Sequence, residues 1–180
     1  MKHYALTKTV ILLLSLLLAG FMCQAQSPPS EYQIKAAFIY NFARFVEWPT
    51  QTFAAANSPM IVGVLGKNDF GDNLAQIING KEIRGHPLQF EEFKSVADAT
   101  HCQVLFISKS EKSDFPKIIS QLQGASILTV SETDNFINAG GMINLVIVED
   151  KVRFQINNDA AKKAGLTISS KLLSLAVNNQ

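Results

Sequence analysis

Two short runs, Met60–Leu65 and Cys102–Ile107, are apolar almost without interruption. A strand with one wet face alternates apolar and polar residues, so a run that does not alternate must be covered on both sides. Between such runs lie segments with helical spacing. Phe70–Ile78 places Phe70, Leu74, Ile77 and Ile78 at helical intervals and stops at Asn79-Gly80. A second helix opens at Ser113 or Asp114, carries Pro116 near its start, runs to Gln123 and closes at Gly124. Further strands are predicted over Pro87–Glu91, Ser126–Val130, Met142–Val148 and Lys151–Ile156. Short helices are predicted over 134–138 and 158–164, and a last helix runs from Ser169 or Ser170 to Val177. This alternation predicts a single α/β domain with a mostly parallel central sheet of about six strands and helices on both faces. A tight turn at Glu149-Asp150 returns the last strand as one antiparallel edge hairpin. There Val152, Phe154 and Ile156 alternate with Arg153 and Gln155, so one face is solvated.

Ahead of the first strand lies Ser30–Pro49, which holds the only tryptophan of the chain. Ser30 followed by Gln33 has the spacing of a capping box, and Pro49 disfavours helix in the residue before it. On a helical wheel, residues from Tyr32 to Val46 give one broad apolar face that includes Phe38, Phe42 and Phe45. Gln33, Tyr40, Asn41, Arg44, Glu47 and Trp48 fall on the other side. Lys35 lies inside the apolar arc, where its stem is expected along the apolar surface and its ammonium at the edge. The breadth of the face predicts deep burial against the sheet, with the edge around Tyr40, Arg44 and Trp48 left for a dimer or partner contact.

The first 25 residues have another purpose. Lys2 and Lys8 precede an apolar run from Val10 to Met22, and Cys23-Gln24-Ala25 has small residues where a signal peptidase reads. This predicts a cleaved secretory leader over residues 1–25 and a domain over 26–180. The run is shorter than the roughly twenty residues of a membrane-spanning helix. Bulky Phe21 and Met22 disfavour lipidation at Cys23. The mature part is nearly neutral, which argues against nucleic acid as a partner. It keeps one cysteine, Cys102, in an apolar run where a small buried hydrophobe is expected. No intramolecular disulfide is available, so stability rests on the core.

No zinc helix, paired-cysteine motif, phosphate loop or nucleophile elbow occurs. His86 and His101 read as edge histidines, and two histidines alone make no convincing metal site. Gly63, Gly66 and Gly71 read as turn glycines rather than a phosphate cradle. Asp69, Glu111 and Asp134 follow three strand ends, where turn and capping roles account for each. The expectation is therefore a binder or regulator, with no catalytic, metal or cofactor residues.

Several stretches carry a resemblance: Tyr32–Phe42 through Val46-Glu47-Trp48-Pro49, Val64-Leu65-Gly66, Cys102–Ile107, Gly140–Ile143, Val152–Asn157 and Ala164–Leu173. Together they resemble the YfiR-type periplasmic regulators, in order and over essentially the whole mature chain. The resemblance implies a periplasmic α/β domain that tends to form a homodimer. It also implies binding to the periplasmic domain of an inner-membrane signalling protein, with a diguanylate cyclase restrained and cyclic di-GMP and biofilm controlled. Family members of that kind hold disulfides and sense redox state; Cys102 matches one family cysteine, but no second mature cysteine exists here. Candidate partner or dimer contacts are Lys35, Tyr40, Arg44 and Trp48 on the opening helix and Arg153 and Gln155 on the last strand. The alternative is a periplasmic receptor for a small apolar or aromatic ligand, feeding another sensor such as a histidine kinase.

Overall fold

The computed structural model describes residues 28–177, so the expected leader, Cys23 included, lies outside the described residues. The elements are α1 (Glu31–Phe45), β1 (Val46–Glu47), β2 (Met60–Leu65), α2 (Asn73–Ile78), β3 (Glu82–Ile83), β4 (His86–Phe93) and β5 (Val104–Ile107). They continue with α3 (Phe115–Gln121), β6 (Leu128–Ser131), β7 (Ile143–Val148), β8 (Lys151–Ile156), α4 (Asn158–Lys163), β9 (Thr167–Ile168) and α5 (Ser170–Leu173). Both halves of the expected capping box form at α1. Gln33 N–H donates to Ser30 Oγ, and Ser30 N–H donates to Gln33 Oε1. The helix stops at Phe45, short of Pro49, because β1 turns extended to pair antiparallel with β9.

Seven strands make one sheet in the order β3-β4-β2-β5-β6-β7-β8. The five from β4 to β7 run parallel, and β3 and β8 join antiparallel at opposite ends. The expectation of about six strands with one hairpin thus gains a second antiparallel edge. Arg84 and Gly85, both at positive φ, form a two-residue hairpin that adds β3. A two-residue strand in a polar segment leaves no alternation to read. The helix expected over 134–138 is a series of turns, with Asn135 at φ 64. The final helix ends at Leu173 rather than Val177.

Continuous apolar strands are covered on both faces, as expected. Met60, Val62 and Val64 of β2 face α1, α2 and α5, while Ile61 and Leu65 face α3. Gly63 belongs to the second face, where a Cβ would collide with the Phe93 ring; it is a packing glycine rather than a turn glycine. Gly66 and Gly71 lie at positive φ and serve turns. Of the α1 phenylalanines, Phe42 is fully buried, and Phe38 and Phe45 are only partly so. Phe42 packs edge-on against Phe154 at 5.1 Å, and Phe38 does the same at 5.5 Å. Beyond α5, Val177 N–H donates to Phe154 O (2.9 Å), covering part of the outer edge of β8.

No disulfide supplements this core among the described residues, so its largest side chains carry the stability. Phe42→Ala is expected to cost about 3–5 kcal/mol. Urea denaturation should show a lower midpoint with an unchanged slope.

Candidate functional site

The chain leaves β2 for β4 on one side and then crosses to β5 on the other. Open α/β sheets place ligands outside the carboxyl ends of strands at such a divergence. Here the loops Gly66–Asp69 and Ser108–Glu111 flank it, and the mouth is filled from within. The first two turns of α1 bring Tyr32 and Lys35 to it, and Glu132 follows β6. Lys35 is 4% exposed. Its ammonium is paired with Glu132 and Glu31, not held at the edge as the wheel suggests. Tyr32 O–H donates to Glu132 Oε1 (2.9 Å), and Lys109 Nζ donates to Tyr32 Oη (3.2 Å). Lys109 Nζ also lies 3.7 Å from Asp69 Oδ2 and 3.8 Å from Glu132 Oε1. Lys67 Nζ holds Asp69 Oδ1 at 2.7 Å, and Lys67 N–H donates to Ser110 Oγ (3.0 Å), tying the two loops together.

The electrostatics follow from this geometry. Burial disfavours the Lys35 ammonium, but its hydrogen bonds to Glu132 and Glu31 outweigh that and raise its pKa. The hydrogen bond from Lys67 holds the Asp69 carboxyl below its usual range against the opposing effect of burial, and Lys109 adds to the lowering. Burial raises the Tyr32 phenol, so it stays protonated as a donor. Lys109 is raised first by Tyr32 and then by Glu132. These charges neutralise one another, and their chemical effect is to fasten α1 across the crevice. Of the three expected carboxylates only Asp69 belongs to the cluster. Glu111 turns to Ser110 Oγ (2.8 Å), and Asp134 lies on the opposite side of the sheet. Glu132, which sequence reasoning passed over, is the central acid; the signal was a lysine in an apolar arc, which requires one.

The other candidates lie elsewhere. Tyr40 and Arg44 sit on the outer edge of α1 within an alternation of cations and rings. Lys81 Nζ is 4.3 Å from the Tyr40 ring, Arg44 lies 5.7 Å from Tyr40, and Lys171 Nζ is 5.4 Å from Phe45. Lys81 and Lys171 come from distant parts of the chain, so no local pattern announced them. Trp48 lines a recess of about 450 Å³ with Phe53, Met60, Arg84 and His86. His86 is half-buried rather than an exposed edge residue. It stacks on Phe53 at 3.8 Å, and its Nδ1 meets Ser58 O at 2.7 Å. Arg84, in the left-handed region at φ 53, donates to Val46 O (2.9 Å) and pins the end of α1. Arg153 is exposed on β8, and Gln155 faces a polar recess beside Asn144. His101 is exposed and pairs with Glu91 at 3.0 Å. Cys102 is 1% exposed, and burial pushes its thiol up to about 12, so the thiolate that redox chemistry needs is suppressed. No group of three or more potential metal-ligating His, Cys, Asp or Glu side chains occurs among the described residues.

Removing Lys35 strands a buried carboxylate. Lys35→Met is expected to destabilise by about 3–5 kcal/mol, and Lys35→Met with Glu132→Leu to recover most of that loss in a double-mutant cycle of urea melts. Because the Lys35 pKa is raised, its contribution is complete below the ordinary value of 10.5 and fades as pH climbs through the raised one. Asp69, being lowered, contributes fully above 3.8 and loses that contribution as pH falls through its lowered value. Melting temperatures across a pH series should drop at both limits.

A solved structure of a conserved domain protein from Vibrio cholerae O1 biovar El Tor superimposes with a TM-score of 0.54 at 15% identity, covering 86% of this chain and 62% of that one. The ABC domain in complex with L-Trp from Streptococcus pneumoniae gives 0.49 at 14% identity, covering 81% and 59%. The chain thus spans about three fifths of the length of either, and the likeness to the first is one of fold alone. No helix among the described residues is long and apolar enough to cross a membrane. The YfiR/HmsC-like family pattern matches residues 32–177, from the α1 tyrosine of the crevice to the residue that covers β8. On that match the chain belongs to the YfiR/HmsC-like family, a family of periplasmic regulators of signalling proteins.

Proposed function

We propose that the protein is exported to the periplasm and restrains a membrane signalling protein by binding its periplasmic sensor domain. The proposed target is a diguanylate cyclase, so that release of the protein raises cyclic di-GMP and favours biofilm. The family match over residues 32–177 carries this reading. The filled crevice supports it too, since the position where α/β sheets commonly take small molecules is given over to fastening α1. The proposed contact surface is the cation and aromatic strip of Tyr40, Arg44, Lys81 and Lys171, extended toward Trp48. Its excess of positive charge suits an acidic patch on the partner, which would steer association and fix orientation. Arg153 on β8 is a second proposed contact. Regulation of this kind is stoichiometric and needs no catalytic residue.

A second reading rests on one feature, the recess walled by Trp48, Phe53 and His86 with Arg84 beside it. It has the aromatic walls and the few polar groups of a ligand site. On that reading the protein is a receptor for a small aromatic ligand that reports to a sensor such as a histidine kinase.

The purified periplasmic domain of a diguanylate cyclase encoded beside this protein is expected to bind it in biolayer interferometry. Arg44→Glu with Lys171→Glu should weaken binding by about tenfold or more at unchanged melting temperature. A folded protein that ignores this domain, as monomer and as dimer, would sink the first reading. For the second, a ligand at 100 times its Kd stabilises by about 2.7 kcal/mol. A thermal-shift screen of aromatic carboxylates and amines should show that rise in the wild type and lose it in Trp48→Ala.

A further inference from the structure

A small polar recess of about 270 Å³ lies on the face of β7 and β8 turned away from α1, just past the end of β6. Its floor is Asn144, which is 4% exposed. The Asn144 side-chain oxygen, Oδ1, is hidden and has no hydrogen-bond partner among the described residues. An unpaired buried polar group costs about 1–3 kcal/mol, and a native fold rarely retains one without a use. Its neighbours do not satisfy it. Gln155, directly opposite in the β7–β8 register, lines the same recess, and Ser131, beside it in β6, gives its hydroxyl to Ile107 O (2.8 Å). Asn138 Nδ2 meets Asn135 Oδ1 only at 3.5 Å, and the Asp134 carboxylate has no ion pair among the described residues.

The lining therefore offers several amides, each both donor and acceptor, one carboxylate, and no lysine or arginine. Without a cation the recess does not suit an anion. One carboxylate among amides is also a poor match for a hard divalent cation, which takes six to eight oxygens. The volume falls below the roughly 300–1,000 Å³ of sites for drug-sized ligands, so the occupant is a single small unit. Half-buried Val146 and buried Ile137 add a limited apolar surface. A ring with hydroxyls at its edge and C–H groups on its face satisfies both kinds of wall. We infer that this recess binds one neutral sugar unit, held by the side chains of Asn144, Gln155 and Asp134. The inference goes beyond the regulatory reading and does not depend on it.

The test is a titration of the ¹⁵N-labelled mature protein with N-acetylglucosamine, and separately with glucose, followed by side-chain and backbone amide shifts. Saturable shifts are expected at the Asn144 and Gln155 side chains and over residues 134–138, with a Kd on the order of 1 mM. Gln155→Leu and Asp134→Ala should each weaken binding by about tenfold at unchanged melting temperature. Asn144→Leu should abolish it while leaving the backbone spectrum otherwise intact. Absence of saturable shifts in the folded protein, indicating ordered water as the only occupant, would overturn the inference. So would shifts that survive all three substitutions, or the same shifts produced by calcium in place of either sugar.

Discussion

The pairing of Lys35 with Glu132 is the contact on which the placement of α1 depends. Apolar packing is indifferent to small rotations of a helix about its axis, because one methyl group replaces another. An ammonium inside the apolar arc is not. Taking two ions out of water costs several kcal/mol each, and that cost is offset only where both find partners in good geometry. Tyr32, one turn earlier, donates to the same carboxylate, so two residues of one helix face converge on one acid. This fixes the rotation of α1 and its position along the strands. The pair therefore contributes specificity more than net stability. The far end of the helix is fixed separately, by the pairing of β1 with β9 and by Arg84.

With α1 fastened at both ends, its outer edge becomes a rigid platform. Tyr40 and Arg44 lie between the two anchors and are joined there by lysines from two other segments. Cation and ring pairs at exposed positions are worth about 0.5–1 kcal/mol each. They do little for the fold, but they hold long side chains in a defined array before any partner arrives. A preorganised surface loses less side-chain freedom on association. The crevice at the carboxyl ends of β2 and β5 supplies the rigidity at one end, which links a position usually given to small ligands with the proposed contact surface.

Much of this was legible in the residues. Continuous apolar runs required two-sided cover, and the sheet has it; Ser30 and Gln33 announced the helix start, and both hydrogen bonds form. What stayed hidden was set by contacts distant in sequence. β3 is too short to alternate, and β1 is extended only because β9 lies beside it, over a hundred residues later. The charged cluster was half visible. Lys35 was out of place in its arc, yet nothing local distinguishes Glu132 from the neighbouring Asp134 as its partner. The strip around Tyr40 was seen from one side only, since Lys81 and Lys171 reach it through the tertiary fold. Asn144 gave no signal at all, because an asparagine inside a strand-like run reads as an interruption until its surroundings are known.

The hydrogen bond from Val177 to Phe154 has a consequence for the order in which the molecule is completed. β8 ends at Ile156, and the residues that shield its outer edge emerge only after α4, β9 and α5 have been made. In the interval before they pack, the hairpin itself has long been able to form, since it needs about 1–10 μs. During it the β7–β8 hairpin presents unpaired backbone amides beside exposed Ile147 and Val148. Such an edge is a template for pairing with another chain. The finished protein caps that edge at Phe154, while the stretch beside Ile147 and Val148 stays exposed, so the template is shortened rather than removed.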